Sequence, residues 1–165
     1  MFEQYSLRAI RVVFVTRSKA GERGSGTLDI GDFVLAFVLE DQGKFLDYLS
    51  AKPSPGDVVI DELEVHVPFL QPEAAARLLL GVEHVLTHST RVPTSVELSV
   101  SAELYQVFQF AEELRKELGH EHIQPLHLLA GVFEEKSGVY SDQLREGGVT
   151  QELVLGKLRE AGEKH

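Results

Sequence analysis

Displaced by 95 residues, the chain lies on itself without a gap. The stretch YSLRAIRVVFVTRSKAGERGSGTLDIGDFVLAFVLEDQG, from Tyr5, runs against VSAELYQVFQFAEELRKELGHEHIQPLHLLAGVFEEKSG, from Val100. Ser6 meets Ser101, Val12 meets Val107, Gly24 meets Gly119, Glu40 meets Glu135 and Gly43 meets Gly138. Identities are few, but apolar positions agree: Ala9 with Leu104, Val13 with Phe108, Val15 with Phe110, Leu28 with Ile123, Phe33 with Leu128, Val34 with Leu129 and Phe37 with Val132. Self-similarity at a fixed offset means that one supersecondary unit is used twice. A chain of 165 residues has room for both units in one domain. The expected organisation is a single domain over 1–165, with repeat one at 1–93 and repeat two at 94–165.

The offset decides an ambiguity in RVVFVTRSKAGERGSGT, Arg11 to Thr27. Read alone, Val12, Val13 and Val15 suggest a buried strand leading into a glycine loop. The second copy reads otherwise. Leu104, Val107, Phe108, Ala111, Leu114 and Leu118 follow the i, i+3, i+4, i+7 spacing of an amphipathic helix. Glu112, Glu113, Arg115, Lys116 and Glu117 are strong helix formers, Ser101 is a good N-cap and Gly119 a good stop. The first copy is therefore expected to begin a helix after Ser6 that frays over Gly21 to Gly24.

Second helices are expected over Ile30–Glu40, capped by Asp29, and over Leu126–Lys136, with Pro125 where a first-turn proline is tolerated. Short third helices follow Gly43 (KFLDYLS) and Gly138 (VYSDQLRE). In repeat two Thr150 caps a fourth, QELVLGKLREAG. Repeat one is interrupted by an insertion over 51–71, where KPSPGD is rich in turn residues. DELEVHV and TSVELSV alternate with the period of a strand. Strands are expected only near Glu62–Val67 and Ser95–Val100, paired as a small β-ribbon. Pro72 then opens EAAARLLLGVEHVLTH, the displaced fourth helix of repeat one.

Composition narrows the function. A net charge of −10 argues against nucleic acid, whose phosphates need clustered Lys and Arg, and against an anionic membrane surface. There is no cysteine, which excludes disulfides, thiolate catalysis and cysteine-based metal sites. MFEQYSLRAI does not read as a signal peptide, and no apolar run reaches membrane-spanning length, so a cytoplasmic location is expected.

Motifs for chemistry are weak. Gly21 to Gly26 has the glycine spacing of a Walker A loop, but Thr27 and Leu28 follow where a lysine and a hydroxyl are needed. His84 and His88 are one helical turn apart, yet Val85 stands where a zincin motif carries glutamate. His120, His122 and His127 cluster in sequence and read best as capping or core groups. The carboxylates of Glu112, Glu113, Glu117, Glu134 and Glu135 read as solvated helix faces. No catalytic residue, metal site or cofactor is expected.

On these residues the chain resembles the Clp amino-terminal domain family, the double repeat at the front of Clp-type AAA+ unfoldases. The first helices read YSLRAIRVV and VSAELYQVF, where the family has an aromatic residue, a Ser or Thr cap and a run like ERARRVL. The family's Gly-His-x-x-Ile followed by His-Leu-Leu-x-Gly-Leu is matched by GHEHI and HLLAGVF in repeat two, and by the thinner GSGTL and FVLAFV in repeat one. The resemblance covers most of the chain outside Ala51 to Pro93. It implies an all-α fold of two four-helix repeats related by a pseudo-twofold axis. It also implies a non-catalytic module whose partners are proteins: a Clp ATPase, a Clp peptidase or client proteins.

Some members of the family bind phosphoarginine through the hydroxyl that starts each first helix and a glutamate just before the second helix's histidine. Carried over, the peptide-binding positions are Ser6, Ser101, Gly31 and Leu126. The hydroxyls are kept, while Gly31 and Leu126 replace both glutamates. The resemblance thus implies an adaptor or accessory subunit of a Clp chaperone–protease. The alternative is a ligand-responsive or stress-related regulator that reuses the fold.

Overall fold

The computed structural model describes residues 4–24, 27–45, 68–87, 99–135 and 138–163. Among them, repeat one carries α1 (Leu7–Glu22), α2 (Ile30–Asp41) and α3 (Pro72–Thr87), and repeat two carries α4 (Ala102–Leu118), α5 (Pro125–Val132), α6 (Val139–Glu146) and α7 (Gln151–Glu163). Val12 to Val15 are helical, as the repeat requires. The fold is all-α, and the only strands among the described residues are β1 (Thr27–Leu28) and β2 (Ser99–Val100). The third helix expected over Lys44–Ser50 lies, beyond Phe45, outside the described residues, as does the expected strand at Glu62–Val67.

Local signals act as their chemistry dictates. The Ser6 hydroxyl accepts the Ala9 N–H at 3.1 Å, and the Ser101 hydroxyl accepts the Leu104 N–H at 3.1 Å. Asp29 caps α2, and the Thr150 hydroxyl accepts the Leu153 N–H at 3.2 Å. Gly24 and Gly119 take φ of 74° and 70°, Gly43 and Gly138 take 72° and 71°. Each pair is separated by the repeat offset, and each occupies left-handed backbone that only glycine adopts without strain.

The ribbon expected between Glu62–Val67 and Ser95–Val100 lies largely outside the described residues; among the described residues β2 pairs with β1, in parallel register, with Thr27 opposite Ser99 and Leu28 opposite Val100. A two-residue extended link has no period long enough to register in a sequence; it forms because the Ser101 N–H needs an acceptor and finds the Leu28 carbonyl at 2.9 Å. One expectation needs correction: α5 stops at Val132, short of Lys136, and Phe133 and Glu134 continue as a turn.

The reciprocal of the β1–β2 link lies elsewhere. Tyr5 bridges Ile123 in parallel, and the Ser6 N–H donates to the Ile123 carbonyl at 2.9 Å. Tyr5 corresponds to Val100 and Ile123 to Leu28 under the repeat offset. The lead-in to each first helix therefore pairs with the lead-in to the other repeat's second helix. Only a twofold relation between the repeats makes both exchanges equivalent.

The core follows the same symmetry. Ala9 and Leu104, Phe33 and Leu128, Val34 and Leu129, and Phe37 and Val132 are all buried. Within each repeat the first helix crosses the second. The α4–α5 crossing is made by Val107 against Gly131, where an added Cβ would lie 3.0 Å from the Val107 carbonyl oxygen. Phe108, expected at this crossing beside Leu128, is only half-buried; Val107 and Ala111 turn further inward. In repeat one the insertion returns to the core through the buried Asp41, whose carboxylate accepts the N–H groups of Phe69 and Leu70 at 2.8 and 3.0 Å.

Candidate protein-binding surface

The positions carried over from the sequence fall at four helix beginnings. Ser6 and Ser101 are the N-caps of α1 and α4. Gly31 and Leu126 follow the first residues of α2 and α5. The backbone exchange brings them together across the repeats. Ser6 is bonded to Ile123, on the way into Leu126's helix, and Ser101 to Leu28, on the way into Gly31's helix. Each serine oxygen is engaged in capping, while its hydroxyl retains a donor and a further acceptor site.

Gly31 and Leu126 differ in what surrounds them. Gly31 is buried, and a Cβ there would lie 2.7 Å from the Tyr140 hydroxyl oxygen and 2.8 Å from Leu86 Cδ2. A side chain at this position requires the Tyr140 and Leu86 side chains to move. Leu126 is half-buried against the core.

Behind these positions each second helix is latched by its third residue. The Asp32 carboxylate accepts the Asp29 N–H at 3.1 Å, and His127 Nδ1 accepts the Gln124 N–H at 2.8 Å. Each latch has a second partner. Arg23 grips Asp32 through Nε at 3.1 Å and Nη2 at 2.6 Å, and His120 Nδ1 lies 2.8 Å from His127 Nε2. Because His127 Nδ1 accepts a backbone proton, Nε2 carries the imidazole hydrogen and donates it to His120. Burial first, and then His120, push the His127 pKa down to about 4. Burial pushes the Asp32 carboxyl up, an effect opposed by Arg23 and by the Asp29 N–H. The Tyr140 phenol is pushed up to about 12 by burial, and further by Asp29 and Asp32.

The GHEHI and HLLAGVF motifs thus acquire a physical meaning. Gly119 ends α4 in left-handed backbone, His120 and His127 pair, Ile123 joins the repeats, and Gly131 admits Val107. Arg23 and Asp32 do this work in repeat one and were not singled out from the sequence. The available signal was the repeat offset, which sets Asp32 against His127. His84 is exposed and His88 lies outside the described residues; among those described, no group of three His, Cys, Asp or Glu side chains could hold a metal ion.

This arrangement defines a class: an all-α double repeat whose halves exchange short links around a twofold axis. The Clp repeat (R) N-terminal domain family matches residues 59–147, more than half of the chain, so the chain belongs to that family. The match begins inside the stretch that the motif resemblance leaves out. Among solved structures, the N-terminal domain of the caseinolytic-protease-associated chaperone ClpD from Arabidopsis thaliana is 17% identical, covers 99% of this chain and 98% of its own, and has a TM-score of 0.60. The Hsp104 N-terminal domain from Candida albicans is 17% identical over 92% of this chain and 87% of its own, with a TM-score of 0.63. A chain from a malarial protein secretion system is 18% identical over 98% of this chain and 96% of its own, at 0.70. At these identities the likeness is one of fold. No curated protein sequence matches the chain. Among the described residues, no helix is long and apolar enough to cross a membrane.

Proposed function

We propose that this chain is a non-enzymatic protein-binding module that serves a Clp chaperone–protease as an adaptor or accessory subunit. The observation that carries the reading is membership of the Clp repeat family, a fold typically used to bind proteins for Clp ATPases. Helix N-termini offer unpaired N–H groups and the positive end of the helix dipole, so the surface around Ser6 and Ser101 favours apolar or acidic peptide segments. With Gly31 and Leu126 at the glutamate positions, no carboxylate at those positions can grip a phosphoarginine guanidinium.

Affinity capture on the tagged chain in its own host tests the role. Recovery of a Clp ATPase or Clp peptidase subunit supports it; their consistent absence sinks it. A fluorescence titration with arginine-phosphorylated and unmodified casein tests the peptide chemistry, and the two should bind alike. A phosphorylation-dependent gain of tenfold, about 1.4 kcal/mol, lost in the Ser6→Ala/Ser101→Ala variant, would restore phosphoarginine recognition.

A further inference from the structure

Each of the two links between the repeats is held by a single peptide group. The Ile123–Gln124 peptide accepts the Ser6 N–H on its carbonyl oxygen at 2.9 Å and donates its own N–H to His127 Nδ1 at 2.8 Å. The Leu28–Asp29 peptide accepts the Ser101 N–H at 2.9 Å and donates to the Asp32 carboxylate at 3.1 Å. Each peptide is thus clamped between the N-cap serine of the other repeat's first helix and the third residue of its own second helix. A change at the latch residue acts directly on the group that joins the repeats.

The two latches differ in what a proton does to them. A carboxyl group keeps an acceptor oxygen when it is protonated, so Asp32 can hold the Asp29 N–H in either state; an imidazolium has no acceptor left. His127 is fully buried, its Nδ1 takes the Gln124 N–H, and its Nε2 gives its hydrogen to His120 Nδ1 at 2.8 Å. The ring has no vacant nitrogen. A proton placed on His127 lands on Nδ1 and turns the Gln124 N–H away. A proton placed on His120 Nδ1 faces the His127 Nε2 hydrogen. To accept it, the His127 ring must move its own hydrogen to Nδ1, and the Gln124 N–H is displaced again. Among the described residues, the charges that bear on His127 come from His120 and from Arg115 on α4. Arg115 donates to the His120 carbonyl at 3.1 Å and holds Glu112 at 2.7 Å, so it opposes a proton and offers no substitute acceptor. Glu121 and His122, the other titratable groups of this loop, are exposed.

We propose that the His120–His127 pair is a proton-operated latch on one of the two links: a proton taken up by the pair frees the Ile123–Gln124 peptide and loosens its hold on Ser6, while the Leu28–Ser101 link stays shut. The device runs from the half-buried His120 through one peptide group to the N-cap of α1. It is carried by the fold and stands whatever the module binds. The closed latch resists protonation, with His127 held at about 4 against an ordinary 6.5. The open form binds the proton more tightly, so acid favours opening between those two values.

Amide hydrogen exchange followed by NMR tests this in the unaltered protein. Ser6 and Ser101 are equivalent donors, one in each link, and both are read in one sample. From pH 7 to pH 5 the protection factor of Ser6 should fall about tenfold or more relative to that of Ser101. A ratio that does not change with pH overturns the proposal, since a proton that acts only on global unfolding lowers both factors alike. In His127→Gln, whose side-chain oxygen accepts an N–H at either pH, the ratio should stay constant. A ratio that still falls in this variant places the sensor elsewhere and also overturns it. Nitrogen-15 spectra of the wild-type rings give a reading that needs no variant. They should show the His127 hydrogen on Nε2 at pH 7, and the Gln124 amide should titrate together with the ring. A hydrogen on Nδ1, or a Gln124 amide that does not follow the ring, is equally fatal.

Discussion

Gly131 lies so close to Val107 that an added Cβ would sit 3.0 Å from the Val107 carbonyl oxygen and 3.2 Å from its Cα. The nearest obstacle is a backbone oxygen, which cannot rotate away. Gly131→Val should separate α4 from α5 and cost about 1–3 kcal/mol, in the range of core overpacking. Urea melts would measure it, and wild-type stability would mean that the helices cross elsewhere.

Leu128 is fully buried and Phe108 only half-buried. Leu128→Ala should cost about 2–5 kcal/mol through lost burial and the cavity left behind. Phe108→Ala should cost less, because part of that ring is already in water. A larger loss for Phe108 in paired urea melts would reverse the assignment of faces on α4.

Stability should fall in mild acid. The His127 pKa is held at about 4, below the ordinary value of 6.5, chiefly by burial. The unfolded chain therefore binds a proton more readily than the folded one. The contribution is fully present above about pH 6.5 and is lost as pH falls through 4, a change on the order of 1–3 kcal/mol. The pH dependence of the urea midpoint between 7 and 4.5 should flatten in His127→Gln. An unchanged slope in that variant would place the titrating group elsewhere.

Arg23 and Asp32 form the counterpart of that latch. Their side chains are 10% and 1% exposed, so removing the guanidinium strands a buried carboxylate. Arg23→Ala should cost about 3–5 kcal/mol, and Arg23→Ala with Asp32→Asn should recover part of it. Full additivity of the two losses would show that the pair is not coupled.

Much of the helical framework was legible before any coordinates. The serine caps, the stops at Gly24 and Gly119 and the helical state of Val12 to Val15 are local consequences of residue type and period, and the repeat offset carried the assignment from the clear copy to the ambiguous one. The candidate site was less legible. Ser6, Ser101, Gly31 and Leu126 could be named only by resemblance, and nothing in their neighbours along the chain shows that Tyr140 and Leu86 close over Gly31. The end of α5 was overestimated because Phe133 to Lys136 contain no residue that forbids a helix.

What the sequence by itself determined is whatever acts within a few residues: the caps, the left-handed stops, the apolar stripes and the existence of two copies. What only the tertiary structure decided is how the copies meet. The pairing of Tyr5 with Ile123 and of Leu28 with Val100 joins segments remote in the chain through backbone groups that every residue carries, so no side-chain pattern announces it.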